Sequence, residues 1–243
     1  MNTHPGLERC HAFINCQMEP AHGLPPRKRR AVTISRQAGS GAHLIATKLA
    51  EYLQAHTAKE SRPWTLFDRN LVERVLEDHS LPKRLAQFMP EDRFSEMTDT
   101  LDELFGLHPP SWVLVRQTAQ TLLHLAELGN VILIGRGGNI VTRKLDYVFH
   151  VRLVGSLPKR LERLQQSNQL DNKSARDFIR REDGGRERYL KKYFNADPND
   201  PLLYHLVINT DLISCESAAR IIGDALMTHG ATVAASDCRK FGP

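Results

Sequence analysis

Residues 31–53 read "AVTISRQAGSGAHLIATKLAEYL": a β-branched run breaks into Gly39-Ser40-Gly41 and leaves at once as an amphipathic helix. A strand that turns straight into a helix commits the chain to a crossover unit, and the next strand then lies parallel to the first. Four more short apolar runs alternate with helical stretches: "WTLFD" at 64–68, "NVILIG" at 130–135, "YVFHVRLV" at 147–154 and "YHLVINT" at 204–210. The unbroken apolar character of 131–134 indicates a strand buried on both faces. The pattern predicts an α/β fold with a mostly parallel sheet of about five strands and helices on each side. Helical spacing falls at 42–56, 111–128, 156–168, 173–194 and 215–228, with Ser214 or Thr210 as N-cap of the last.

Around this alternation lie segments of another kind. Residues 1–30 mix Pro, Gly and His without a period and end in "RKRR", which reads as a loose leader; 229–243 reads as a tail. Residues 70–110 are helical and charged, punctuated by Pro82, Pro90 and Pro109-Pro110, and interrupt the domain 31–228 between two strands. An insertion there falls on the C-terminal edge of the strands, where α/β folds bind ligands.

Composition narrows the function. The chain has 243 residues, 41% hydrophobic and 25% charged, with a formal net charge of +5. That balance suits a globular protein with anionic partners. The four cysteines, Cys10, Cys16, Cys215 and Cys238, form no CxxC or Cys/His cluster, which argues against a metal site or disulfide framework. No apolar run reaches the roughly 20 residues of a membrane span, and the expected location is a reducing cytoplasm.

The chemistry-bearing residues gather at strand ends. After the first strand, Arg36, Gly39, Ser40, Gly41, Ala42 and His43 form a loop whose amides, with the positive end of the helix, can hold a phosphate. Lys48 lies farther along that helix. Gly135-Arg136-Gly137-Gly138 closes "NVILIG" and projects Arg136 at the same sheet edge, with glycines leaving room for a ligand. Asp68 closes "WTLFD", and Arg74 follows it; together they suit a second phosphorylated ligand or an N-cap with a solvated partner. "RREDGGRERYLKKY" at 180–193 sets Arg181, Asp183, Arg186 and Arg188 on one helix with Gly184-Gly185 as a hinge, which suits a lid over transferring phosphates.

Taken in order, these motifs resemble the cytidylate kinase-like family of the P-loop nucleoside monophosphate kinases. The likeness rests on "VTISRQAGSGAHLIATKLAEYL", on Asp68 and Arg74 in "FDRNLVERVL", on "ILIGRGGN" at 132–139 and on Asp183 and Arg186, and runs from about 31 to 228. It implies a three-layer α/β/α fold, an ATP-type donor at the glycine loop, and a nucleoside monophosphate acceptor beneath 70–110. It also gives Arg74 and Arg136 to the acceptor phosphate, Asp68 to its neighbourhood, and the 173–194 lid arginines to the transferred phosphoryl. The chain departs from the pattern at Ala42, His43 and Leu44, where a P-loop has Lys-Gly-Thr. A missing lysine removes a charge-assisted contact of about 1.5–3 kcal/mol.

Two functions follow as expectations. One is a Mg²⁺-dependent phosphoryl transferase using ATP on a nucleotide or related phosphorylated acceptor, with Arg36 holding the donor. The other is a non-catalytic nucleotide-binding sensor that kept the fold without the lysine. The expected partners are nucleotides, with no membrane and a homo-oligomer left open. Nucleic acid is disfavoured, because "RKRR" and the lid lack interleaved aromatics.

Overall fold

The computed structural model describes residues 30–57, 63–68, 70–72 and 112–229, with positions 12, 101 and 104. The leader, most of the 70–110 insertion and the tail lie outside the described residues, and so does Arg74.

Strand β1 (Ala31–Arg36) passes through the glycine turn into helix α1 (Ala42–His56). Then come β2 (Thr65–Phe67), α2 (Val113–Leu128), β3 (Val131–Ile134) and the short α3 (Gly138–Val141). Strand β4 (Val148–Val154) is followed by α4 (Leu157–Asn168) and the long α5 (Asn172–Phe194). A 3-10 turn (Pro201–Leu203) leads to β5 (Leu206–Asn209) and α6 (Cys215–Thr228). The five strands pair in the order β2-β3-β1-β4-β5, and every pairing is parallel.

Side chains alternate along each strand, so the sheet feeds two separate cores. Ala31, Val131, Leu133 and Val148 pack with α2 residues such as Leu122 and Leu125 on one face. Val32, Ile34, Ile132, Ile134 and Val151 pack with α1 and α6 on the other. Three layers result, α/β/α, as the resemblance implies. Helix α1 contributes Ile45, Leu49 and Leu53, all fully buried. Each such side chain stabilises the fold by about 1.5–3 kcal/mol.

The order of the strands decides where a ligand fits. The chain leaves β1 onto one face through α1, whereas α3, which follows the neighbouring β3, packs on the other face against α2 and β1. The C-terminal edge around β1 is therefore a switch point, and a crevice opens there.

Helix α5 differs from the expectation of a hinged lid. It runs unbroken from Asn172 through Gly184-Gly185 to Phe194. Arg186 donates to Asp183 Oδ1 (2.9 Å) and Glu182 Oε2 (3.1 Å), so two ion pairs clip the helix across the glycine pair. Asp171 caps its start through Ser174 N–H (2.8 Å), and Ser214 caps α6 through Ser217 N–H (3.1 Å). Among the described residues, no helix is long and apolar enough to cross a membrane.

Candidate functional site

The crevice at the switch point is a cleft of about 210 Å³. Its floor is the C-terminal half of β1 with Arg152 of β4, one wall is the turn Gly135-Arg136-Gly137 after β3, and its roof is α5. Positions 181, 182, 185, 186, 189 and 190 all line it, because residues three and four apart share one helical face.

Five arginines line this cleft, Arg36, Arg136, Arg152, Arg181 and Arg186, against one carboxylate, Glu182. Arg36 ends β1, and its guanidinium lies over the backbone of Gly135, where an added Cβ would stand 1.9 Å from Nη1. Gly135 also has φ +83°, which favours glycine there, and any Cβ would push the Arg36 guanidinium from its place. Among the described residues Arg36 has no carboxylate within ion-pair distance. Burial, together with Arg186 and Arg136, pushes its pKa down to about 9. The adjacent Arg136 has φ 56°, a left-handed conformation that costs a non-glycine residue roughly 1–2 kcal/mol. Strain of this kind collects where a side chain must be aimed.

Arg152 is the residue that the sequence reading missed. It sits at the centre of β4, 6% exposed, and donates to Ser35 Oγ (2.8 Å) and Asn199 Oδ1 (3.2 Å). A period-two signal was present: His150 and Arg152 alternate on one face of an otherwise apolar strand, facing Thr33 and Ser35 across the β1 pairing. Tyr189, also over the cleft, is held as a phenol, since burial pushes its pKa up to about 12.

The glycine loop lies beside the cleft and is tied to the lid. Ala38 N–H donates to Asp183 Oδ1 (2.7 Å), and Asp183 Oδ2 accepts from Arg160 of α4 (2.6 Å). Arg160 also donates to the Ala38 carbonyl (3.1 Å). Gly39, with φ +77°, lets the loop press on Arg160, whose carbonyl would stand 2.5 Å from any Cβ. Asp183 thus anchors the loop to α4 and α5 in this structure. Ser40 is buried, and its hydroxyl donates to the Gln37 carbonyl (2.8 Å).

Helix α1 opens at Gly41 with no side-chain cap. Ile45 N–H bonds Gly41 O (3.0 Å), so the amides of Gly41, Ala42, His43 and Leu44 come before the first intrahelical bond. They suit an anion. Lys48 does not serve the loop: its Nζ pairs with Glu216 on α6. His43 is exposed, its Nε2 lying 3.5 Å from Asp68 Oδ2, and Asp68 Oδ1 accepts from Leu71 N–H (2.9 Å). Arg188 is exposed and does not line the cleft. Arg36, Arg136, Arg181 and Arg186 are therefore brought together, while Asp68 and His43 meet at the loop's outer side.

For a nucleotide and Mg²⁺, the residues present divide. The uncapped amides fit a phosphate. Among the described residues no group of three or more His, Cys, Asp or Glu could hold a metal ion, and Asp68 is the carboxylate beside the loop that carries no arginine. Mg²⁺ needs few protein ligands where phosphates supply the rest, so one carboxylate is compatible with it.

The model of the cytidylate kinase-like family matches residues 31–212. The cytidylate kinase of Pyrococcus horikoshii is 24% identical over 202 residues, 83% of this chain and 90% of that protein. A uronate isomerase of Corynebacterium glutamicum is 28% identical over 109 residues; the match takes in 45% of this chain and spans only 21% of the isomerase. Among solved structures, an uncharacterized protein from Eubacterium ventriosum superposes with a TM-score of 0.63 at 18% identity, covering 82% of this chain and 99% of that one. This last likeness is one of fold.

Proposed function

The chain belongs to the cytidylate kinase-like family, and on that premise we propose that it moves the γ-phosphoryl of ATP to a nucleoside monophosphate or a related phosphorylated acceptor. A nucleotide kinase-like role follows from the family. The observation that carries the finer reading is the cleft itself, with arginines from two strands, a turn and a helix converging on one crevice against one carboxylate. Among the described residues Arg152 is buried and Arg36 largely so, neither with a carboxylate in ion-pair distance, and an anionic ligand offsets the cost of that arrangement.

In this reading the amides of 41–44 hold the donor's phosphates, doing with dipoles part of what the absent lysine would do. Arg36, expected from the sequence to hold the donor, lies instead over Gly135 beside Arg136, so the two bind the acceptor phosphate together with Arg74. Arg181 and Arg186 reach from the roof to the charge in transit, and Asp183 fixes Arg186 and the loop in one frame. Catalysis is then positioning and electrostatics, with no side-chain nucleophile. Mg²⁺, bound through Asp68 and the phosphates, would supply charge neutralisation.

A coupled assay with ATP, Mg²⁺ and a panel of nucleoside monophosphates tests it. Turnover with at least one acceptor, reduced about a hundredfold or more in Arg136→Met, is expected. ATP binding with no turnover on any acceptor would sink the kinase reading. That result would establish instead the second one, a nucleotide sensor. Ala42-His43-Leu44 and the Ala38 amide already bonded to Asp183 favour that alternative.

A further inference from the structure

We propose that Arg152 is an anion subsite of its own on the floor of the cleft, and that the acceptor carries a second anionic group, a carboxylate or a further phosphate, which Arg152 binds. The inference rests on the phosphoryl-transfer reading and narrows its substrate class.

Three observations carry it. First, Arg152 is a buried cation with no carboxylate in direct contact. Among the described residues no carboxylate lies within 4 Å of it, and its Nε is buried with no acceptor. Its two hydrogen bonds, to Ser35 and Asn199, use two of the five guanidinium donors. Burying a lone charge costs several kcal/mol, so the residue is poorly explained as structural filling.

Second, the guanidinium is held in place by neutral groups. Tyr204 lies with its ring 5.9 Å from the Arg152 guanidinium carbon; its hydroxyl donates to the Pro198 carbonyl (2.9 Å) and stands 3.3 Å from Ser35 Oγ, whose own hydroxyl can donate to it. Neutral partners orient the cation, while Asp183 and Asp197 act on it only from beyond ion-pair distance, which leaves its donors open to an anion.

Third, Arg152 is separate from the other cationic group. Arg36 lies over Gly135 at the β3 side, and Arg186 is matched by Glu182 and Asp183. Arg152 pairs in register with Ser35, one residue inward of Arg36, and none of its contacts belongs to β3 or to the glycine loop. A phosphate seated against Arg36 and Arg136 at the β3 side leaves Arg152 to a second anionic group of the same ligand.

The test compares ligands that differ only by the second anion: glycerol 3-phosphate against 3-phosphoglycerate, and adenosine 5′-monophosphate against adenosine 3′,5′-bisphosphate, by calorimetry. The full chain is used, as wild type, Arg152→Gln and Arg152→Lys, each first shown by thermal melting to unfold cooperatively. In the wild type at least one doubly anionic member binds about ten- to a hundredfold tighter than its partner, the worth of a charge-assisted contact. Arg152→Gln abolishes that gain while leaving the single-anion member within about twofold, and Arg152→Lys restores part of it. Equal affinities within both pairs in the wild type overturn the inference and leave the phosphoryl-transfer reading standing. So does an Arg152→Gln that weakens both members of a pair alike, since Arg152 would then belong to the single phosphate site. No binding by any of the four compounds overturns the inference, while the phosphoryl-transfer reading stands or falls on the turnover assay.

Discussion

Arg36 shows how function sits against stability in one side chain. Burial and the neighbouring Arg186 and Arg136 lower its pKa to about 9, so the folded protein holds its proton less tightly than the unfolded chain does. A base with a depressed folded pKa destabilises the fold while it is charged, and that cost is relieved as pH rises past 9. Two outcomes follow. Arg36→Met should raise the unfolding free energy of the ligand-free protein by about 1 kcal/mol while removing most of the affinity for inorganic phosphate. In the wild type, phosphate affinity should hold up to about pH 9 and fall above it, because the anion binds only the guanidinium form. Denaturant titration and calorimetry across pH 7–10 check both. Arg136, strained at φ 56°, and Arg152, buried without a carboxylate, repeat the same trade at the other walls of the cleft.

Helix α5 is the element that turns these residues into one site. Ala175, Ile179 and Leu190 bury its underside, and residues 181 to 190 present a cationic face to the cleft. Glycine is not required in that face by crowding: a Cβ at Gly185 would meet nothing within 4 Å. Gly185→Ala should therefore stabilise the helix by up to about 1 kcal/mol, read as a rise in melting temperature. Its methyl group projects where the ligand is expected, so a weaker KM should accompany the gain in stability. The periodicity of 173–194 announced the helix, and the glycine pair suggested a break in it. The break is absent because the ion pairs from Arg186 back to Glu182 and Asp183 span the pair, a side-chain effect that backbone propensity does not register.

For the whole molecule, acid is the informative perturbation. His150, packed between β1 and the start of β5, has its pKa lowered to about 3 by burial and by His205 and His229, and burial alone lowers His124 of α2 to about 4. Both are neutral in the fold and titrate near 6.5 when unfolded. Their contribution is complete above pH 6.5 and is lost as pH falls from there towards 4, at up to about 1.4 kcal/mol per pH unit for each group. Urea midpoints at pH 7, 6 and 5 should fall steadily, and His124→Leu should make the decline shallower. The amino-acid sequence alone determined the elements, their order and the edge at which chemistry collects. Strand and helix periods are local, and an apolar run such as 131–134 can be satisfied only by burial on both faces. It also placed Arg36 and Arg136 near one another, since strand ends and their turns share a sheet edge, and it brought Arg181 and Arg186 to them only through the likeness of 180–193 to a kinase lid. Only the tertiary structure decided that Arg152 joins them, that Asp183 bonds the loop amide of Ala38, and that Lys48 is taken by Glu216. These depend on the parallel register that sets Ser35 beside Arg152 and on the packing of α5 and α6 against the loop. Pairing between distant segments leaves no period in the chain, so it is visible only once the sheet has closed.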